Sequence, residues 1–231
     1  MARWSPEVTT SRVLRSALMR AYKFLNQQYG LKSINERRLR RTRINELNDP
    51  FELRPYDLTN PKNRWAFLAT RDALAQRFGL LCFSADWFDP LIWAHYSEKH
   101  KGMCLGFEIP PEAEKAQTRK VDYIPAPLPF PADFLGLGTE QQLPFVEKMI
   151  FTKYKKWEYE HEIRTWTDLE EEFFNFCEVL QPVEVIIGAG STLQTGEVTR
   201  ALGSIADRVT VKKARAAHDK FEMVEDERFA Q

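Results

Sequence analysis

The residues whose types and spacing most readily suggest chemistry are Trp157-Glu158-Tyr159-Glu160-His161-Glu162-Ile163-Arg164, where three carboxylates occupy every second position and an arginine follows. Alternate side chains of a strand share a face, so an extended chain projects Glu158, Glu160 and Glu162 together and turns Tyr159, His161 and Ile163 the other way. Like charges at that spacing raise a pKa unless a cation or solvent meets them, and such groupings suit work on protons, cations or sugars. A helix would instead set Glu158 and Glu162 one turn apart. The same residues also fit a solvated acidic edge balanced by Arg164 and by the lysines of Lys153-Tyr154-Lys155-Lys156.

A second cluster is Trp93, His95, Tyr96 and His100. Helical spacing puts Trp93, Tyr96 and His100 on one side and His95 on another, an arrangement equally suited to packing or to a ligand. His95 and His100 lie five apart rather than the four of a zinc helix, so no metal is expected. Ser84 ends a buried run, where its hydroxyl can meet a ligand or cap a turn, and no glycine-flanked elbow marks it as a nucleophile. Asn48-Asp49-Pro50 reads as a turn that can offer polar contacts to a ligand. Gly188-Ala189-Gly190-Ser191 lacks the third glycine of a dinucleotide fingerprint and reads as an ordinary turn. Arg37, Arg38, Arg40, Arg41 and Arg43 form a basic strand in which Arg37, Arg41 and Arg43 would share one face.

The elements that must position these groups alternate without a repeat. Val13, Leu14, Ala17, Leu18 and Ala21 make one helical stripe, predicting a basic amphipathic helix over about 11–21. Tyr22 to Leu25 then reads as a strand or helix end, with a helix near 26–35 after it. A helix over 63–77 leads to the strand Leu80 to Ser84, a helix from Pro90 to His100 stopped by Gly102, and the strand Met103 to Ile109 ended by Pro110-Pro111. Prolines at 125, 127, 129 and 131 mark a loop over about 125–138, and a helix over 140–152 precedes the carboxylate strand. Strands at 183–188, 209–211 and 221–224 and a helix near 196–206 complete the chain. The expected fold is a single α+β domain over 1–231 with a central mixed or split sheet flanked by helices.

At 231 residues with zero formal net charge, the chain has the length for a substantial core. Its charge is uneven: residues 1–43 hold eleven Lys and Arg against two acids, and residues 140–180 hold ten acids against five bases. That asymmetry suits either a nucleic-acid or phosphate partner or mutual neutralisation across the fold. Three cysteines in apolar surroundings, Cys82, Cys104 and Cys177, read as reduced buried thiols. Neither a signal peptide nor a membrane-spanning run is seen, so a cytoplasmic protein with no membrane partner is expected.

Taken together, Tyr22 to Leu25, Leu47 to Glu52, Cys82-Phe83-Ser84, Trp93-Ala94-His95-Tyr96 with His100-Lys101-Gly102, Cys104 to Phe107 and Trp157 to Arg164 resemble the bacterial family called domain of unknown function 2971. Glu184 to Gly188 and Lys213-Ala214 also fit, so the resemblance runs from about residue 20 to the end. It implies no particular activity. The order of elements is more distantly similar to ADP-ribosyltransferases: an early strand with a cation, a strand ending in serine, a helix, another strand, and a strand with Glu-x-Glu. That resemblance implies NAD as substrate, with a transferase or glycohydrolase activity in a toxin or defence setting. It implies Glu162 as the catalytic carboxylate, Glu160 orienting the acceptor, Ser84 positioning the ribose and Lys23 meeting a phosphate. Tyr22, Asn48, Asp49, His95, Tyr96, His100 and Arg164 are the further substrate-binding candidates. The early cation is lysine where that superfamily generally has arginine or histidine, and Cys82-Phe83-Ser84 departs from its Ser-Thr-Ser. The alternatives are a noncatalytic nucleotide- or nucleic-acid-binding module using the arginines, and a metal-dependent hydrolase using His95, His100 and His161 with the glutamates.

Overall fold

The computed structural model describes residues 19–109, 118–169, 171–177 and 180–229. The chain is an α+β domain built on one mixed sheet with helices on its faces. Its strands are β1 (Met19–Leu25), β2 (Arg38–Arg40), β3 (Thr42–Arg43), β4 (Phe78–Ser84), β5 (Met103–Ile109), β6 (Thr118–Lys120), β7 (Asp122–Ile124), β8 (Thr152–Tyr154), β9 (Glu162–Asp168), β10 (Phe173–Asn175), β11 (Gln181–Ile187), β12 (Thr210–Ala216) and β13 (Met223–Glu225). The helices are α1 (Gln27–Glu36), α2 (Pro61–Arg77), α3 (Pro90–Tyr96), α4 (Thr139–Phe151) and α5 (Thr195–Leu202).

The main sheet runs β13-β12-β11-β5-β1-β4-β9-β6, with β11 and β12 parallel and the other neighbours antiparallel. Successive residues serve opposite faces, as the strand period requires. Ala21, Leu81, Phe83, Leu105, Phe107, Ile163 and Ile187 pack with Ile34 of α1 and Val198 and Leu202 of α5. Tyr22, Phe24, Cys104 and Ile186 pack on the other face beneath Trp93 of α3. Trp93 is fully buried, meets Phe24 edge to face at 5.1 Å and donates its indole N–H to the Trp87 carbonyl, so it is core rather than a ligand contact.

The sheet is split at one place. Strand β1 touches β4 only at Tyr22 and Ser84, while β3 takes the same edge of β4 lower down, at Leu80 and Gly79. Between them the Lys23 ammonium donates to the Cys82 carbonyl at 3.0 Å, satisfying a strand edge that has no strand beside it.

Several expectations are corrected. Met19 to Ala21 belong to β1, not to a helix, because seven consecutive residues pair with β5; the remainder of the proposed 11–21 helix lies outside the described residues. Helix α3 ends at Tyr96 rather than His100. The Ser97 hydroxyl takes the Trp93 carbonyl, and Glu98, Lys99 and His100 follow in left-handed conformation. Gly102 then passes against the Leu25 backbone, where a Cβ could not fit. Glu158 and Glu160 are not on a strand: residues 155–160 form 3-10 turns, and β9 begins only at Glu162 after a left-handed His161. The basic strand is two short pieces around Arg41, so the one-face grouping of Arg37, Arg41 and Arg43 does not hold.

Candidate functional site

Five strands bring one row of residues into register. Glu184 of β11 and Tyr22 of β1 both lie opposite Gly106 of β5, Tyr22 pairs with Ser84 of β4, and Ser84 pairs with Glu162 of β9. Directly opposed residues share a face, so Tyr22, Ser84 and Glu162 stand side by side where the sheet splits. Gly106 makes the row close: a Cβ there would press on Glu184 and on the Tyr22 ring, which leans across it so that the Tyr22 hydroxyl donates to Glu184 at 2.8 Å. Burial first, and that carboxylate second, push the Tyr22 phenol well up.

Around this row opens a cleft of about 350 Å³ lined by Tyr22, Lys23, Asn48, Ser84, His95, Tyr96, Glu160 and Glu162 together with Glu52, Cys82 and Lys153. Asn48 donates to the Tyr96 hydroxyl at 3.3 Å, which donates in turn to Glu160 at 2.6 Å. His95 lies on the exposed rim, its ring about equidistant from Tyr96, Trp157 and Tyr159 at 6.2 Å from each. A neighbouring hollow of about 420 Å³ shares Lys23 and Thr42 with the cleft and is edged by Lys32, Arg38 and Arg40.

The cleft's floor is a buried ionic centre. Lys153, almost wholly buried on β8, donates to Glu160 at 2.5 Å and Glu162 at 3.1 Å and pairs with Glu52 at 3.0 Å. Arg164, completely buried two residues beyond Glu162, grips that carboxylate with Nε at 2.6 Å and a terminal nitrogen at 2.9 Å. It also reaches Glu52 at 2.7 Å and the Ile150 carbonyl at 2.6 Å. Two cations thus face three carboxylates, leaving one net negative charge.

The two central carboxylates differ in character. Burial alone would raise Glu162, but the Arg164 guanidinium and the Lys153 ammonium outweigh it and hold the carboxyl below the usual range. Burial raises Glu160, and the share of Lys153 that it receives does not compensate. The difference is Arg164, which grips Glu162 but does not reach Glu160; Glu160 has only its share of one ammonium and is raised further by the neighbouring Glu162 charge. Lys153 is raised, because the attraction of Glu162, Glu52 and Glu160 exceeds the burial that would lower it.

The remaining candidates lie elsewhere. Arg164 sits behind Glu162 rather than on the cleft wall. Asp49 turns its carboxylate to the Phe51 N–H at 2.9 Å and closes the turn that delivers Glu52. His100 lies away from the cleft, its carbonyl accepting from the Gly190 N–H at 2.9 Å. Glu158 is exposed and pairs with Lys155. His161, exposed at its left-handed position, lies with Nδ1 2.8 Å from Asp86. Among the described residues no group of three or more His, Cys, Asp or Glu side chains is placed to hold a metal ion, and no helix is long and apolar enough to cross a membrane. Most of the arginines are engaged within the fold. Arg37 donates to the Leu202 carbonyl, Arg38 pairs with Glu36, Arg40 with Glu46 and Glu172, and Arg41 with Thr167 and two carbonyls.

The residue that sequence reasoning underrated is Lys153, which sits in a basic run that reads as solvated. Only the three-dimensional convergence of Glu52, Glu160 and Glu162 reveals it as the centre's hub. Comparison of the chain with protein-family models, with curated proteins and with solved structures finds no match.

Proposed function

We propose that this cleft binds NAD and cleaves its bond between nicotinamide and ribose, acting as an ADP-ribosyltransferase-like transferase or as a glycohydrolase. The observation that carries the reading is the register of Tyr22, Ser84 and Glu162 across three adjacent strands at the cleft floor. The motif order that suggested the chemistry requires an early-strand cation, a middle-strand serine and a late-strand carboxylate to be neighbours, and Lys23, Ser84 and Glu162 all line one cleft. A cleft of about 350 Å³ is at the small end of ligand sites, which span ~300–1,000 Å³. The adjoining hollow, entered past Lys23, gives a longer dinucleotide somewhere to extend.

The chemistry follows from the charges. As the C1′–N bond breaks, its electron pair leaves with neutral nicotinamide, and positive charge spreads over C1′ and the ring oxygen. The net negative charge of the buried centre favours that state over the ground state, and its groups are already fixed by Arg164 and Lys153. An acceptor, water or a nucleophile on another molecule, bonds to C1′ and must give up a proton. Glu160, whose pKa lies above the ordinary carboxylate value, is the better suited of the pair to receive it. Glu162, held ionised, supplies the fixed charge and an acceptor for a ribose hydroxyl.

The test is nicotinamide release by purified protein, with NAD binding followed by calorimetry. Glu162→Gln is expected to lower release by roughly 10²–10³-fold, the scale seen for single electrostatic groups, while cooperative unfolding is retained. Wild-type protein that neither binds nor cleaves NAD refutes the reading. Unchanged turnover in Glu162→Gln refutes the role given to that residue. Binding without release would favour the noncatalytic nucleotide-binding alternative.

A further inference from the structure

Helix α2 is apolar on two sides. Ala66, Phe67, Leu74 and Ala75 turn inward to the core. Trp65, Leu68, Ala69 and Ala73 nevertheless stand in solvent, Trp65 with 64% of its surface exposed and Leu68 with 39%. Offsets of three, four and eight place these four along one outward stripe. A surface helix gives that side to polar residues, whereas a helix that is apolar all round is one that is covered all round. A tryptophan heading such a stripe is the kind of side chain that anchors an interface.

The order of large and small residues along the stripe says what covers it. Trp65 and Leu68 come first. Beyond them Ala69, Asp72, Ala73 and Gln76, all exposed, follow the i, i+3, i+4, i+7 spacing of the four corners of a hole that receives one side chain from a facing helix. Two alanines leave that hole wide enough for an indole, and Asp72 and Gln76 put oxygen acceptors on its edge. Trp65 lacks such an acceptor. The side-chain hydrogen bonds of α2 belong to Asn60, Arg64, Thr70 and Arg71, and the Trp65 N–H has none among the described residues. Within one helix this knob and this hole lie side by side and cannot meet. A second copy of α2 running antiparallel, related by a two-fold axis near Leu68 and Ala69, brings each Trp65 onto the other copy's hole, as a self-complementary interface requires. Charge runs in the same sense. Lys62 and Arg64, exposed at the N-terminal end without a carboxylate partner among the described residues, then approach the other copy's Asp72, whose side chain is 66% exposed beside Arg71.

We propose that the outer face of α2 is a homodimer interface, in which two α2 helices pack antiparallel and each Trp65 seats between Ala69 and Ala73 of the second copy. A face one 17-residue helix long, about 25 Å, is at the small end of specific interfaces, so the dimer is reversible rather than obligate. No residue of α2 lines the cleft, so the interface holds whether or not NAD is the substrate there.

The test is sedimentation velocity on the full chain across about a hundred-fold range of concentration, over which monomer should give way to dimer. Trp65→Ala should weaken association about thirty-fold, the scale of a buried aromatic anchor, and Ala73→Trp, which fills the hole, by a similar factor. Both positions are exposed, so each variant should unfold as the wild type does. Trp65→Ala combined with Ala73→Trp exchanges the large and small positions, and only antiparallel pairing lets the moved indole find the space vacated on the other copy. The double variant should therefore associate more tightly than either single one. A chain that stays monomeric throughout, a dimer indifferent to Trp65→Ala, or a double variant no tighter than the singles overturns the proposal.

Discussion

Replacing Arg164 by methionine should be among the most damaging single changes in this chain, and the damage should depend on pH in a defined sense. The side chain is completely buried and makes four hydrogen bonds, three to the carboxylates of Glu162 and Glu52 and one to the Ile150 carbonyl. Methionine fills similar space without a donor, leaving Lys153 alone against three buried carboxylates. Removing one member of a buried ion pair costs about 3–5 kcal/mol, a large part of the ~5–15 kcal/mol that holds a domain folded. For a chain of this size each kcal/mol is worth roughly 2–4 °C, so melting should fall by about 6–20 °C. In the wild type Glu162 is depressed, so its contribution is complete above the unfolded carboxylate pKa of ~4.3 and is lost only as pH falls through the lower folded value. In Arg164→Met burial dominates and the same carboxyl is raised. Its penalty is then full at neutral pH and is relieved as pH falls toward ~4.3. Urea unfolding at pH 7.5, 6 and 5 should therefore show the gap between variant and wild type shrinking on acidification. A loss below about 1 kcal/mol, the range of exposed pairs, or a loss equal at all three pH values, would refute this account of the centre.

At Gly188 an added Cβ would run into the backbone carbonyls of His100 and Gly102, which have no flexible end to give way. Gly188→Ala should cost about 1–3 kcal/mol, whereas Gly136→Ala, with nothing within 4 Å of the new atom, should stay within about 0.5 kcal/mol in the same denaturation assay. Burial pushes the Cys82 thiol up to about 12, with Glu162 adding to it, and raises Cys104 as well. A thiol reagent at pH 8 should therefore label Cys177 first, reach Cys82 on the cleft wall more slowly and leave buried Cys104 until the protein unfolds; equal native rates for Cys82 and Cys177 would contradict this.

What was legible in the sequence was what local forces decide. Strand β5 was read to its end residues because an apolar run sits between Gly102 and a double proline. Helix α1, expected near 26–35, spans Gln27–Glu36, where the Asn26 side chain caps it by accepting from the Tyr29 N–H at 2.7 Å. The α+β class followed from alternating elements. Met19 to Ala21 fall at the end of a stripe whose apolar spacing satisfies a helix, and only their distant partners Ile109, Glu108 and Phe107 of β5 make them a strand. Glu160 and Glu162 were rightly seen as one cluster for the wrong geometric reason. They meet at Lys153 through a 3-10 turn and a left-handed His161, not through strand alternation, so Glu158 is excluded from the group. Tyr22, Ser84 and Glu162 could not be aligned from the sequence, because register between distant strands has no local signature.

The ionic centre also explains why two glutamates two residues apart need not do the same thing. Glu162 opens β9 and is clamped on both oxygens by Arg164, whose rigid fork fixes orientation as well as charge. Glu160 lies just outside the strand and is held by single bonds from Tyr96 and Lys153, both on other elements. A carboxylate fixed by a fork is suited to being a standing charge, since releasing it would expose a buried guanidinium. One held by a hydroxyl and a shared ammonium can gain a proton at less cost, because Tyr96 can turn from donor to acceptor and Lys153 still has two carboxylates to neutralise. The environments thus push the two groups apart in proton affinity, the arrangement by which one cleft supplies a fixed charge and a proton acceptor at the same pH.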